Sequence, residues 1–198
     1  MSLRKPIDRI SVEDYLEGEK ESPIRHEFVD GHVFGMAGAS DRHNLIAGTV
    51  YARLLDLLSA GPCRAFISDM KVRVQPSIYY YPDVVVACDP PGADPYTRTQ
   101  PILVVEVTSP STQRVDRFEK LPAYKRIAGL AECVLISQVQ MIVEVHRLVG
   151  DEWQSELLTQ PEEQLRLESV GLVLTLSEIY RNVEFDEDPV SGIPHQQQ

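Results

Sequence analysis

From Pro101 to Thr108 the chain reads Pro-Ile-Leu-Val-Val-Glu-Val-Thr, an almost unbroken apolar and largely β-branched run with one carboxylate inside it. Such a run fits a strand buried on both faces, because a strand with one wet face alternates apolar and polar residues. Tyr79 to Ala87 has the same character, with Asp83 entering Val84-Val85-Val86. A chain of 198 residues, 43% of them apolar, can bury one good core, and no linker marks a second. The expectation is a single α/β domain over residues 1–188, followed by a Gly-, Pro- and Gln-containing disordered tail over 189–198.

Other elements follow from local chemistry. Ser11, with Asp14 three residues on, predicts a helix from Ile10 to Glu21, and Asp30-Gly31 inside Arg25–Phe34 is a strong hairpin signal. Ser40 opens a stretch with Leu45, Ile46, Val50, Leu54, Leu55 and Leu58 on one helical face, ended at Gly61-Pro62. Further strands are expected at Cys63–Ser68, Lys71–Gln75 and Cys133–Ser137, with a hairpin-like pair at Met141–Leu148 and Glu152–Leu158. Between them Ser109-Pro110-Ser111-Thr112 opens a helix running to about Ile127, with Pro122 positioned to kink it.

The formal charge of −11 argues against general adhesion to nucleic acid, since phosphate binding relies on Lys and Arg. The acid is unevenly placed. Asp151 to Asp188 carries a net −9, whereas Thr112 to Leu130, with Arg114, Arg117, Lys120, Lys125 and Arg126, carries a net +3. Phosphate is expected at the latter. Cys63, Cys88 and Cys133 lie far apart with no C-x-x-C pair, which predicts neither a disulfide framework nor a zinc site and points to a reducing compartment. No uncharged apolar run reaches the roughly 18 residues of a membrane span, so a soluble cytoplasmic protein is expected, with no membrane partner.

Charges inside apolar strands are costly unless they are paired or hold a cation. Asp83 and Glu106, one on each buried strand, could together hold Mg²⁺, which favours one or two carboxylates, waters and a substrate phosphate. Glu106 paired with a core Lys or Arg, and Asp83 capping a turn, account for the same residues. Asp116, Lys120 and Tyr124 recur at i, i+4 and i+8 on one helical face just beyond Glu106. A lysine there could orient an attacking water and offset charge at phosphorus, or could simply pair with Asp116 at the surface.

The ordered set Tyr81-Pro82-Asp83-Val84-Val85-Val86, then Pro101 through Glu106 to Thr112, then Asp116, Lys120 and Tyr124, resembles the Uma-type putative restriction endonuclease family of the PD-(D/E)XK nuclease superfamily. The likeness runs from about Ser11 to about Tyr180 and takes in Glu27, Asp30-Gly31, His43 and Ser68-Asp69. It implies a restriction-endonuclease-like core, a mixed β-sheet flanked by helices with added β-hairpins. It also implies hydrolysis of DNA phosphodiesters with Mg²⁺ or Mn²⁺ held by Asp83 and Glu106, helped by the Val107 carbonyl. Where the superfamily's usual Glu-x-Lys motif has its lysine, this chain has Thr108, so the resemblance assigns that role to Lys120.

Glu27 is a candidate third carboxylate at the metal, His43 a proton shuttle and Asp69 a residue near the cleft. Gln113 and Arg114, in the first turn of the helix after Glu106, are candidate phosphate contacts. Each also has a plainer reading: an exposed strand Glu, a packed His, a turn Asp, a solvated helix face. Trp153 reads as core or interface. A homodimer is expected because cutting both strands takes two sites. Two rivals remain: a catalytically silent nuclease-fold module that binds DNA or protein, favoured by the acidic charge, and a carboxylate-pair sugar hydrolase, which would need neither lysine nor metal.

Overall fold

The computed structural model describes residues 9–90 and 94–185; the tail expected at 189–198 lies outside them. The first helix α1 (Val12–Glu21) starts at Ser11, whose hydroxyl accepts the Asp14 N–H at 3.0 Å. Strands β1 (His26–Val29) and β2 (His32–Gly35) form the expected hairpin, with Asp30 and Gly31 at positive φ of 48° and 88°. Both central residues of a tight hairpin turn need that conformation. Helix α2 (Asp41–Leu57) begins at Ser40 and buries Ile46, Ala47, Val50 and Leu54, whereas Leu45 and Leu55, expected on the same face, are exposed.

Six strands make the central sheet, in the order β11-β10-β9-β8-β6-β3. These are β3 (Arg64–Ile67), β6 (Val84–Ala87), β8 (Pro101–Thr108), β9 (Glu132–Ser137), β10 (Val143–Val149) and β11 (Glu152–Leu158). The sheet is mixed: β8 runs parallel to β9 and antiparallel to β6. Val84, Val86, Leu103, Val105, Val107, Val134 and Ile136 pack toward α2, the β12 (Gln164–Leu167)–β13 (Leu172–Thr175) hairpin and α5 (Leu176–Ile179). The alternate residues Val85, Val104 and Leu135 pack the other way, against α4 (Leu121–Tyr124) and a second sheet. Burial on both faces is what the unbroken apolar runs predict.

The second sheet has the order β2-β1-β5-β4-β7, with β4 at Lys71–Gln75, β5 at Ile78–Tyr80 and β7 at Thr97–Arg98. Tyr79 to Ala87 is two strands in different sheets, β5 and β6, joined by a Tyr81-Pro82-Asp83 corner. Pro82 has no N–H for a ladder, which rules out a continuous central strand. The helix expected from Ser109 is shorter and uneven: α3 (Gln113–Val115), a π turn over Asp116–Lys120, then α4. In the π turn Leu121 N–H reaches back to the Asp116 carbonyl. Pro122, just after it, can donate no helical hydrogen bond and crowds the carbonyl four residues back, the usual causes of a local distortion.

The cysteine expectation also fails. Arg64 pairs with Ala87 across β3 and β6, so the next residues outward, Cys63 and Cys88, stand opposite one another and form a disulfide. Their separation of 25 residues in sequence hid a cross-strand contact. Cys133 is free and buried. Among the described residues no helix is long and apolar enough to cross a membrane.

Candidate active site

Extending the β6–β8 register one step past Val84↔Val105 sets Asp83 against Glu106. Asp83 lies beyond the end of β6, and its Oδ2 accepts the Val107 N–H at 2.6 Å, so the carboxylate is fixed on the neighbouring strand. Its carbonyl accepts the Ser68 N–H at 2.9 Å. His43, in the first turn of α2, brings Nε2 to 3.2 Å from the same Asp83 oxygen, and its ring also bonds the Val107 backbone. Burial disfavours the charged imidazole, but the bond to Asp83 and the charges of Asp83 and Asp116 prevail and hold His43 above its ordinary pKa.

On the other side of Glu106 is a buried lysine. Lys120 Nζ lies 2.6 Å from Glu27 Oε1, 3.1 Å from Glu106 Oε1 and 3.5 Å from Asp116 Oδ1. Tyr124 Oη donates to the same Glu106 Oε1 at 2.7 Å. Burial alone would strip the proton from Lys120, yet Glu106, Glu27 and Asp116 together hold its pKa well above the ordinary value. Three carboxylates around one ammonium leave an excess of negative charge. Glu106 registers it: burial first, then the neighbouring charges of Asp83 and Asp116, raise its pKa well above that of a free carboxylate despite Lys120. Tyr80, from the second sheet, sets its ring 5.7 Å from Lys120 Nζ and edge-on to Tyr124.

The structure therefore gathers Asp83, Glu106, Lys120, Glu27, Asp116, Tyr124, His43 and the Val107 backbone at one place. Glu27 is buried, not an exposed strand residue, and Asp116–Lys120 is not a surface pair. Tyr80 was missed; its only sequence signal is its place in a Tyr79-Tyr80-Tyr81 run, whose alternation sends Tyr80 to the face opposite Tyr79 and Tyr81. Gln113 and Arg114 sit exposed at the start of α3, and Asp69 turns away to Arg25, 3.7 Å from its Nε. The local +3 is also less available than its sum suggests. Arg117 pairs with Glu144 at 2.6 Å, Lys120 is buried, and Lys125 bonds His146 at 3.0 Å and lies over the half-buried Trp153 ring.

A divalent cation fits part of this arrangement. Asp83 and Glu106 are hard oxygen donors whose mutual repulsion raises Glu106, and a cation between them would relieve it. Among the described residues no group of three or more His, Cys, Asp or Glu side chains is arranged to hold a metal. Glu27, engaged at 2.6 Å by Lys120, is placed as the lysine's partner.

A family profile described as "putative restriction endonuclease" (Uma2) matches residues 12–177. The chain belongs to this family. It is 33% identical over 182 residues to the uncharacterized protein slr1290 of Synechocystis sp., covering 91% of this chain and 96% of that protein. With sll1609 of the same organism it shares 34% over 157 residues, 76% of this chain and 86% of the relative. The crystal structure of a putative nuclease belonging to DUF820 from Anabaena variabilis superposes with a TM-score of 0.71 at 16% identity, over 87% of this chain and 98% of that one. The fold of this Uma2-family chain is thus a nuclease-like mixed α/β fold, as the motifs around Asp83 and Glu106 implied.

Proposed function

We propose that this chain is a divalent-metal-dependent endonuclease that hydrolyses DNA phosphodiester bonds. The observation that carries the reading is the buried excess of carboxylate around Lys120, at adjoining strand ends where Asp83 faces Glu106. Asp83 and Glu106, with the Val107 carbonyl beside them, are the groups that would hold Mg²⁺ or Mn²⁺. When bound, the ion would polarise the scissile phosphate and acidify a water.

The remaining work falls to this chain's own side chains. Lys120, kept charged by Glu106, Glu27 and Asp116, orients the attacking water and faces the negative charge that grows on the phosphoryl oxygens. Tyr124 fixes Glu106 by its hydrogen bond, and His43 fixes Asp83. The water oxygen bonds to phosphorus as the bond to the leaving oxygen breaks; the water gives up one proton to solvent and the leaving oxygen takes one from solvent. Glu27 is assigned to holding Lys120. Gln113 and Arg114, on the exposed turn after Glu106, are assigned to the flanking backbone. Double-strand cleavage by this single-site chain calls for a homodimer, and cytoplasmic DNA is the substrate that fits the family.

Incubation of supercoiled plasmid with Mg²⁺, Mn²⁺ or EDTA, alongside Asp83→Ala, Glu106→Ala and Lys120→Ala, tests the proposal. Cleavage is expected only with metal and only in the unsubstituted protein. Cleavage that persists in EDTA or in Asp83→Ala would sink the mechanism. A second reading, a nuclease-fold module without activity, is favoured by one observation: Lys120 already engages three carboxylates. It predicts DNA or protein binding with no cleavage under any metal.

A further inference from the structure

The second sheet has two faces. Glu27, Val72 and Tyr80 turn toward α4 and the carboxylate cluster, whereas Phe28, Lys71 and Tyr79 turn toward α1 and Tyr15. On the α1 side Glu19, Lys20, Arg25, Asp69, Lys71, Tyr81 and Tyr96 line a recess of about 70 Å³, room for a small oxyanion or a few waters. Lys71 is only 4% exposed. Its Nζ lies 5.1 Å from the Tyr15 ring centre and 5.9 Å from that of Tyr81, and among the described residues no carboxylate or hydrogen-bond acceptor pairs with it.

The other charges in the recess are already engaged, Lys20 by Glu17 at 2.6 Å. The Glu19 carboxylate takes the His26 N–H at 2.8 Å, the His26 ring at 3.0 Å and the Tyr81 hydroxyl at 3.0 Å. Asp69 is beside Arg25 Nε, and Arg25 Nη1 donates to the Glu19 carbonyl at 3.0 Å. The Lys71 ammonium, at the recess wall, therefore keeps donors free for a group held there. Burial pulls the Lys71 pKa below its ordinary value, while the charges of Glu19 and Asp94, beyond pairing distance, pull the other way. At the mouth Tyr96, 61% exposed, presents a ring to solvent.

We propose that this recess is a phosphate subsite: Lys71 donates to the oxygens of a backbone phosphate of a nucleic-acid strand, and Tyr96 stacks on an adjoining base. The nucleic-acid part rests on the nuclease reading above. Geometry supports the link, because Tyr81 lines the recess and Asp83 is two residues away, a span of at most about 7 Å. A strand crossing Asp83 meets Lys71 around the Tyr81-Pro82-Asp83 corner. Phosphate contacts position a strand, and aromatic stacking tolerates any base, so the subsite adds affinity and register without sequence preference.

Calorimetric titration in EDTA, which separates binding from cleavage, tests this with inorganic phosphate and with a single-stranded decanucleotide. Both are expected to bind, and Lys71→Met to weaken both by about tenfold or more, the scale of one charge-assisted hydrogen bond. Tyr96→Ala, at an exposed position, should weaken only the oligonucleotide. Equal binding by Lys71→Met and the unsubstituted protein overturns the subsite; binding of phosphate but not of the oligonucleotide overturns the strand assignment and leaves a free-phosphate site. In a variant-free arm, phosphate should slow acylation of Lys71 by an amine-reactive ester, mapped by peptide mass spectrometry, and absence of protection overturns the proposal even if Lys71→Met does not fold. Absence of plasmid cleavage with Mg²⁺ would defeat the nuclease reading alone, since these measurements contain no metal.

Discussion

Glu27 Oε1 lies 2.6 Å from Lys120 Nζ, so a residue of the first hairpin fixes a lysine that follows the core strand carrying Glu106. Both groups are buried, and Lys120 pairs at once with Glu27, Glu106 and Asp116. Removing it takes one shared counter-charge from three buried carboxylates. Lys120→Met is expected to lose about 3–5 kcal/mol of stability at neutral pH by urea unfolding, the cost of breaking a buried ion pair. The loss should shrink as the pH falls and the carboxylates protonate. A loss under about 1 kcal/mol at neutral pH, the scale of an exposed pair, would mean the cluster is solvated.

Tyr124 is the smaller case. Its hydroxyl donates to Glu106 Oε1 while its ring packs in the core beside Tyr80. Tyr124→Phe keeps the packing and deletes one hydrogen bond to a carboxylate, so a loss of about 1.5–3 kcal/mol is expected by the same measurement. Cleavage should fall with it, because Glu106 loses a group that orients it. A variant as stable and as active as the parent would remove Tyr124 from the site.

His43 gives a pH dependence with a defined sign. Its folded pKa is raised above the ordinary value near 6.5, so the folded state binds the extra proton more tightly than the unfolded chain. The stability contributed by protonated His43 is fully present below about pH 6.5 and is lost as pH rises through the higher folded midpoint. Ring-proton NMR of the metal-free protein should show that raised midpoint, and Asp83→Asn should lower it. A midpoint at or below 6.5 in the parent would contradict the Asp83 contact.

The disulfide offers a test under reducing conditions. Cys63 and Cys88 close a loop of 25 residues, for which the chain-entropy account gives about 3.5 kcal/mol of stabilisation. Unfolding midpoints with and without reductant, and in a Cys63→Ala/Cys88→Ala variant, should differ from the oxidised protein by that order. Free-thiol titration should find one thiol, Cys133, in the denatured oxidised chain. Three would show the pair reduced.

Much of the scaffold was legible in the sequence because local chemistry is enough to specify it. Ser11 and Ser40 cap helices through their own hydroxyls, Asp30-Gly31 adopts the positive φ a tight turn needs, and the Pro101–Thr108 run admits only a strand covered on both sides. The i, i+4, i+8 spacing put Asp116, Lys120 and Tyr124 on one face, and the π turn did not part Asp116 from Lys120. The short β12–β13 hairpin and α5 went unread, since elements of four residues carry little periodic signal.

What only the tertiary structure decided is which distant residues meet. Sequence could not place Glu27 and His43 on opposite sides of Glu106, turn Asp69 out to Arg25, bring Cys63 to Cys88, or break Tyr79–Ala87 between two sheets. Each depends on strand order and register, where a shift of one residue sends a side chain to the other face. Composition and spacing set the elements. The sign and depth of the charge around Lys120 were settled when the two sheets closed over it.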